Sequence, residues 1–260
     1  MSFPKSLIQL KNMNNTQKIN YLLDSKKSFK NFVVGNSNKL ALITSHSIAE
    51  NLGKSTHNPS LIYGPSGCGK THLINAIGEY CKENYPQKRV QYINSRQFKM
   101  LYTDAVFQNS MNDFINSYQS IDVLIVDDIQ EWKHSPKTLD AFCCIFNHMI
   151  RNDKQMVLAS NCPPVKLQGI DERLIERFAS GVIVEMKKPD EQLCIDILKF
   201  KCQNEDLKIP ADVIEFVAKT SNGSVCALEG VANSLMATSL ALKQKIDIRM
   251  AEQIIQSIHS

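Results

Sequence analysis

One eight-residue segment combines glycines, a lysine and a threonine at a spacing that suits phosphate binding. The segment is Gly64-Pro65-Ser66-Gly67-Cys68-Gly69-Lys70-Thr71, and His72 follows it. Glycines let the backbone wrap around a phosphate with its N–H groups turned inward, and the positive end of a following helix adds to the attraction. We expect the segment and His72 to contact ATP, with Lys70 on the β- and γ-phosphates and the Thr71 hydroxyl on Mg²⁺.

Two acidic residues follow an apolar stretch farther along the chain. Residues 121–126 predict a strand buried on both faces, and Asp127 and Asp128 come directly after it. Next to a phosphate loop, this layout assigns Asp127 to Mg²⁺, directly or through water, and Asp128 to the attacking water. Without the glycine-rich segment upstream, the same two acids would be interpreted as turn residues that cap a strand.

Regular elements must hold these groups in place, and the hydrophobic periodicity predicts them. Strands are expected at residues 60–63, 89–93, 121–126, 155–159 and 181–186. Helices are expected at residues 39–52, 70–84, 95–118 (as one or two helices), 137–151 and 173–178. This alternation predicts an α/β fold with a doubly wound parallel sheet.

The pattern changes after Pro189, where strand signals stop. Helices are predicted at residues 190–202, 211–220, 225–242 and 246–258. We therefore expect a flexible N-terminal arm at residues 1–28, a nucleotide-binding α/β domain at residues 29–188 and a small all-helical lid domain at residues 189–260. Within the arm, residues 14–23 have the pattern of a short helix.

Composition limits the class of protein. The chain has 260 residues, a formal net charge of +4 and no run of eighteen apolar residues, so we expect no membrane segment. The N-terminus lacks the apolar stretch of a signal peptide, which favours a cytoplasmic location. None of the eight cysteines forms a Cys-x-x-Cys pair, so reduced thiols are expected. The mildly basic charge permits nucleic-acid binding without arguing for it.

Four short runs give the sequence its resemblance to a known family. They are Phe32-Val33-Val34-Gly35-Asn36-Ser37-Asn38, Asp127-Asp128-Ile129-Gln130, residues 171–178 and Leu228-Glu229-Gly230. In this order and spacing they resemble the ATPase part of the bacterial replication initiators of the DnaA family, which are AAA+ P-loop NTPases. The resemblance covers residues 28–258. It implies ATP-dependent oligomerisation and a function in the initiation of DNA replication or in its regulation.

The resemblance also implies which residues surround the nucleotide. Residues 32–38 match the family segment that lies over adenine, and they contribute Phe32, Val33, Val34 and Asn38. Asn161 stands where the family has a polar sensor beside the γ-phosphate. On sequence alone, Asn161 is also consistent with a turn residue before two prolines.

Two arginines match an interface between subunits. Arg177 corresponds to the arginine finger, which reaches the ATP of the next protomer and completes the catalytic group with Asp128 and Asn161. Arg173, one helical turn earlier, matches a second arginine of that interface. The pattern also allows both to be ordinary surface arginines.

The sequence departs from the family in three respects. Cys226 occupies the lid position where DnaA has an arginine that senses the γ-phosphate, so we expect weaker ATP sensing or a slow Mg²⁺-dependent ATPase. For single-stranded DNA, Lys137 stands at a basic contact, but Thr103 replaces an apolar one, and residues 100–118 contain no Lys or Arg. In the family a domain that reads duplex DNA follows, and the sequence leaves open whether the chain stands alone.

Three hypotheses therefore remain at this level. The first is a DnaA-like ATP-binding protein that assembles with copies of itself or with full-length DnaA through Arg177. A second is a regulatory adaptor that binds nucleotide without turnover, as Cys226 suggests. The third is a loader that contacts the replicative helicase, against which the Phe32–Asn38 motif argues.

Overall fold

A computed structural model describes residues 23–204 and 208–259 of the chain. Most of the predicted N-terminal arm, including the short helix expected at residues 14–23 apart from its last residue, lies outside the described residues. At the end of that arm, Leu23 packs against the hydrophobic core and the Asp24 N–H donates a hydrogen bond to Asn75 Oδ1 (3.0 Å). Residues 23 and 24 are therefore in contact with the α/β body.

A single parallel sheet runs through the part of the chain that the structure describes. Its five strands are β1 (Ser60–Tyr63), β2 (Val90–Asn94), β3 (Val123–Asp127), β4 (Gln155–Ser160) and β5 (Val182–Glu185). Their order across the sheet is β2-β3-β4-β1-β5, and every neighbouring pair is parallel. Parallel neighbours require crossover connections, and helices provide them here. The predicted doubly wound parallel α/β fold is confirmed.

Ten α-helices of seven residues or more accompany the sheet within the described residues. They are α1 (Lys39–Glu50), α2 (Lys70–Asn84), α3 (Ser95–Phe107), α4 (Met111–Gln119), α5 (Pro136–Arg151), α6 (Glu172–Phe178), α7 (Glu191–Asn204), α8 (Ala211–Thr220), α9 (Val225–Leu242) and α10 (Ile248–His259). The segment expected to form one or two helices at residues 95–118 forms two. They separate at Asn109, whose φ of 51° lies in the left-handed region that helices avoid.

Side chains of the central strand β3 alternate between two cores, as the period of a strand requires. Leu124 and Val126 pack into the core on the side of α3 to α6. Val123 and Ile125 pack into the core on the side of α1 and α2. All four are fully buried, which explains why the sequence of this strand is a continuous apolar run rather than an alternating one.

An aromatic cluster attaches the inserted helices α3 and α4 to the sheet. The Phe98 ring lies 5.2 to 5.7 Å from the rings of Phe114, Tyr118, Trp132 and Phe142. These separations suit the edge-to-face and tilted arrangements that aromatic rings prefer. The apolar stripe of α3 and α4 thus serves first as core, and it fixes where α3 begins at the end of β2.

The last four helices pack around a third core of their own. Its central members come from α7 to α10 and include Leu198, Val217, Leu228 and Ala251. Within the described residues, α9 has the length and the apolar composition of a membrane-spanning helix, and 22% of it is buried. Core helices of folded proteins can have the same length and composition, and α9 contributes Leu228 to this core.

Candidate functional site

The glycine-rich segment forms the turn between β1 and α2. Gly69 caps α2 in a left-handed conformation with φ of 100°, and Gly67 has φ of 77°. At Gly67 space is restricted too, because a Cβ there would lie 2.5 Å from Ser224 Oγ. Side chains other than hydrogen are disfavoured at both places. The loop therefore presents backbone rather than side chains at the N-terminus of a long helix, which is an anion-binding arrangement.

Lys70 points back into this loop at the first turn of α2. It is 7% exposed, and its Nζ donates hydrogen bonds to the carbonyl oxygens of Gly64 (2.8 Å) and Pro65 (3.0 Å). Among the residues that the structure describes, no carboxylate forms an ion pair with it. A buried cation without a protein anion is costly unless a ligand supplies the negative charge. The geometry of Lys70 fits a bound phosphate.

Thr71 and Asp127 lie together at the carboxyl edge of the sheet. The Thr71 hydroxyl donates a hydrogen bond to Asp127 Oδ2 at 2.7 Å, and the Asp128 N–H donates to Asp127 Oδ1 at 2.9 Å. Asp127 is 2% exposed, and burial raises the pKa of its carboxyl group, while the bond from Thr71 opposes the shift. A hydroxyl and a carboxylate are the hard oxygen ligands that Mg²⁺ prefers.

Tyr92 was missed by the sequence analysis. Its hydroxyl donates a second hydrogen bond to Asp127 Oδ2, at 2.9 Å. Burial raises the pKa of Tyr92 strongly, and the Asp127 charge adds to the rise, so the hydroxyl stays a donor. Tyr92 lies on β2, which neighbours β3, but no sequence motif marks it. The hydroxyl stabilises the ionised form of Asp127.

We expect Tyr92→Phe to lower the free energy of unfolding of the nucleotide-free protein by roughly 1–2 kcal/mol at pH 8, since a hydrogen bond to a charged group is lost. Because the Tyr92 bond lowers the pKa of Asp127, its contribution is complete while Asp127 is ionised. It is lost as the pH falls through the pKa of Asp127. Urea unfolding at pH 8 and at lower pH measures both effects.

Tyr63→Phe is the matched control for Tyr92→Phe. Tyr63 lies at the end of β1, and among the described residues its hydroxyl makes no hydrogen bond. Its loss should leave the free energy of unfolding within about 0.5 kcal/mol at every pH. A Tyr92→Phe effect that stays constant with pH would contradict a bond to an ionised Asp127.

Asp128 and Asn161 are connected through Gln130, which the sequence analysis did not assign to the site. Asp128 has a left-handed φ of 56° and turns its side chain away from the core. Gln130 Nε2 donates to Asp128 Oδ1 (2.9 Å), while the Asn161 N–H donates to Gln130 Oε1 (3.1 Å). Gln130 therefore links the end of β3 to the end of β4 and sets the spacing of the two expected catalytic residues.

These residues surround a cavity of about 400 Å³ beside the glycine-rich loop. Its lining residues come from the loop and from the carboxyl ends of β2, β3 and β4. They are Ser66, Lys70, Asn94, Ser95, Arg96, Asp128, Gln130, Glu131 and Asn161. In open parallel sheets, ligands bind outside the carboxyl ends of the strands, as here.

The 32–38 segment lies on the other side of the loop. The Phe32 ring contacts His72 edge-on at 5.2 Å, and a Cβ at Gly69 would lie 3.7 Å from it. Asn38 holds the segment by donating to the Val33 carbonyl (3.0 Å). Burial lowers the pKa of His72, which favours a neutral ring. Val34 is exposed at the same place, so an apolar wall flanks the phosphate loop.

Arg173 and Arg177 are not brought to the cavity of their own chain. Both are exposed on α6, and neither is among the lining residues in the described part of the chain. Arg177 Nη1 donates to Asn147 Oδ1 (2.5 Å) and to Cys143 Sγ (3.2 Å) on α5. The arginine is thus held on the surface between α5 and α6, away from the cavity of its own chain.

The lid helix α9 begins against the phosphate loop. The Val225 N–H donates to the Gly67 carbonyl at 2.8 Å, and Cys226 follows it with an exposed side chain. Burial raises the pKa of the Cys68 thiol; Lys70 opposes this rise and Cys226 adds to it. Cys226 is therefore near the loop, but it brings no positive charge.

Thr103 and Lys137 are both exposed, on α3 and at the start of α5. The Thr103 hydroxyl is bonded to the Lys99 carbonyl (2.8 Å), and Lys99 Nζ donates to Ser135 Oγ (2.9 Å), which joins the two helices. Lys99 lies one residue outside the range that lacked cations in the sequence analysis. The surface near Thr103 is thus more basic than its sequence neighbours indicate.

Four features together define an AAA+ P-loop NTPase fold. They are the order of the strands in the sheet, the glycine-rich loop, the buried Asp127 carboxylate and the helical C-terminal part. The family model for the bacterial DnaA ATPase domain matches residues 23–185. The chain belongs to this family, as its resemblance predicted.

Relatives and solved structures agree with this assignment. The chromosomal replication initiator protein DnaA of Bacteroides fragilis is 45% identical over 236 residues, which cover 91% of this chain and 50% of that protein. Domain III of Thermotoga maritima DnaA has a TM-score of 0.86 at 30% identity, covering 90% of this chain and 98% of that one.

A third comparison concerns a solved DnaA bound to AMPPCP and single-stranded DNA. It has a TM-score of 0.76 at 33% identity and covers 85% of this chain and 69% of that one. The chain spans about half the length of the curated relatives it matches.

Proposed function

We propose that this chain binds ATP together with Mg²⁺ in the cavity beside the glycine-rich loop. The observation that carries the proposal is the buried Lys70 ammonium, which lies in an anion-binding turn without a protein anion. The hydroxyl of Thr71 and the carboxylate of Asp127, 2.7 Å apart, would hold the metal ion. The metal ion would neutralise phosphate charge when bound.

The positions of the remaining site residues suggest separate roles at the phosphates, at the base and at the attacking water. Backbone N–H groups of residues 66–69 would bind the phosphates, and the wall formed by Phe32, Val33, Val34, Asn38 and His72 would face the base. Asp128 and Asn161, which Gln130 links, would orient a water molecule at the terminal phosphate. Hydrolysis is expected to be slow, because Cys226 brings no positive charge to the terminal phosphate and a cation must come from a neighbouring chain or from the cavity wall.

We further propose a function in the initiation of DNA replication through ATP-dependent assembly in the cytoplasm. The curated relatives are called replication initiators, which favours this function over an adaptor or a helicase loader. The exposed Arg177, with Arg173 on the same helix, would reach the ATP of a neighbouring copy or of full-length DnaA. Lys137 and Thr103 would contact single-stranded DNA, since a solved DnaA is described as bound to it.

Sedimentation velocity tests the assembly. In Mg²⁺ buffer, ATP is expected to convert the protein into larger species, whereas ADP at the same concentration leaves it monomeric. Equal sedimentation with both nucleotides would contradict ATP-dependent assembly, even if both nucleotides bind. Addition of single-stranded DNA to the ATP form should raise the assembled fraction.

A further inference from the structure

Arg96 is the second residue of α3, directly after the carboxyl end of β2. Its side chain lines the same cavity as Lys70, Asp128 and Asn161. The motifs that located the other cavity residues did not point to it. The position follows from the fold, because the capping box formed by Asn94 and Gln97 starts α3 at the edge of the sheet where the cavity lies.

An ion pair holds the Arg96 guanidinium at the cavity wall. Nε and Nη2 both donate to one oxygen, Glu131 Oε2, at 3.3 and 3.0 Å. Nη1 donates no hydrogen bond to any residue that the structure describes. Because the Arg96 side chain is 81% exposed, a pair of this kind is weak and exchanges readily for a better anionic partner.

The charged residues that line the cavity are balanced in sign, so an anionic partner can bind beside Arg96. Its charged lining residues are Lys70, Arg96, Asp128 and Glu131, two of each sign. Besides Lys70 in the loop, Arg96 is the other cation among these lining residues, and Cys226 at the start of α9 brings no positive charge. ATP differs from ADP by a terminal phosphate, and a guanidinium binds phosphate oxygens in a forked geometry that an ammonium lacks.

We propose that Arg96 is a specificity-determining residue that contacts the terminal phosphate of ATP and releases Glu131 when it does so. The site would then prefer ATP to ADP through a cation of its own chain. This inference rests on the proposed nucleotide binding and adds to it the source of the discrimination. Glu131 would hold the guanidinium in place until a nucleotide with a terminal phosphate enters.

Titration calorimetry with AMPPCP and with ADP, both in Mg²⁺ buffer, tests the inference. Arg96→Ala is expected to weaken AMPPCP binding about tenfold and to leave ADP binding within about twofold, since one charged hydrogen-bonding contact is lost. Glu131→Gln frees the guanidinium, so its AMPPCP affinity is expected to equal or exceed that of the wild type. Arg151→Ala removes an exposed arginine at the end of α5 and should change neither affinity.

Several results would overturn the inference. If Arg96→Ala leaves AMPPCP binding unchanged, Arg96 forms only a surface ion pair with Glu131 and does not contact the terminal phosphate. An equal loss of affinity for AMPPCP and ADP in Arg96→Ala would indicate a structural role. A loss of AMPPCP affinity in Glu131→Gln as large as that in Arg96→Ala would indicate the same. Absence of binding of either nucleotide to the wild-type protein would refute the proposed function itself, and the inference with it.

Discussion

Replacing Lys70 with alanine is expected to weaken ATP binding by at least about 100-fold. Lys70 is the buried cation of the phosphate loop, and two charge-assisted hydrogen bonds to phosphate oxygens are worth roughly 3 kcal/mol or more. Without the Lys70 ammonium, the loop retains its backbone N–H groups but has no positively charged side chain to bind the phosphates. Calorimetric titration with ATP and Mg²⁺ measures the change.

Lys245→Ala is the matched control, because Lys245 is an exposed lysine in the helical part of the chain. Its ATP affinity should equal that of the wild type. Thermal unfolding without nucleotide verifies that Lys70→Ala folds, and ATP should then raise the unfolding temperature of the wild type but not of Lys70→Ala. Equal ATP affinity of Lys70→Ala and wild type would exclude the loop as the binding site.

Arg177→Ala is expected to lower ATP turnover by about 10³-fold while ATP affinity stays within about twofold. An arginine finger contributes to the transition state of phosphoryl transfer by this order of magnitude. Arg177 does not line the cavity of its own chain, so the loss should concern turnover in the assembled protein and not binding. Phosphate release at saturating ATP, with affinity measured separately, resolves the two.

Mixing variants tests whether Arg177 acts on a neighbour. Arg177→Ala keeps an intact cavity, whereas Asp128→Asn keeps an intact Arg177 but lacks the acid that would orient water. If Arg177 acts between copies, a mixture of the two should recover part of the wild-type turnover. A mixture no more active than its components would argue for action within one chain, and a wild-type protein without turnover would favour the adaptor hypothesis.

Much of the fold could be predicted because its signals are local. The bounds of β1 and α2 agree with the prediction, since the glycine-rich segment separates an apolar run from an amphipathic one. The strand expected from residue 121 begins two residues later, at Val123. Residues 89–93 were predicted as a strand, and the strand is one residue farther along because Asn94 both ends β2 and caps α3.

The side chains that complete the site could not be predicted in this way. Tyr92 meets Asp127 because β2 and β3 are neighbours, and Arg96 meets Glu131 across 35 residues of sequence. Gln130 was part of a family motif, but its bridging contact depends on the left-handed turn at Asp128. Such contacts depend on strand order and turn geometry, which the spacing of residue types does not encode.

Calorimetric titration of the wild-type protein with ATP, with and without Mg²⁺, tests the central claim most directly. The arrangement of Lys70, Thr71 and Asp127 predicts saturable binding of one ATP per chain that weakens when EDTA removes the metal ion. No heat of binding at millimolar ATP in the presence of Mg²⁺, from protein that unfolds cooperatively, would contradict it.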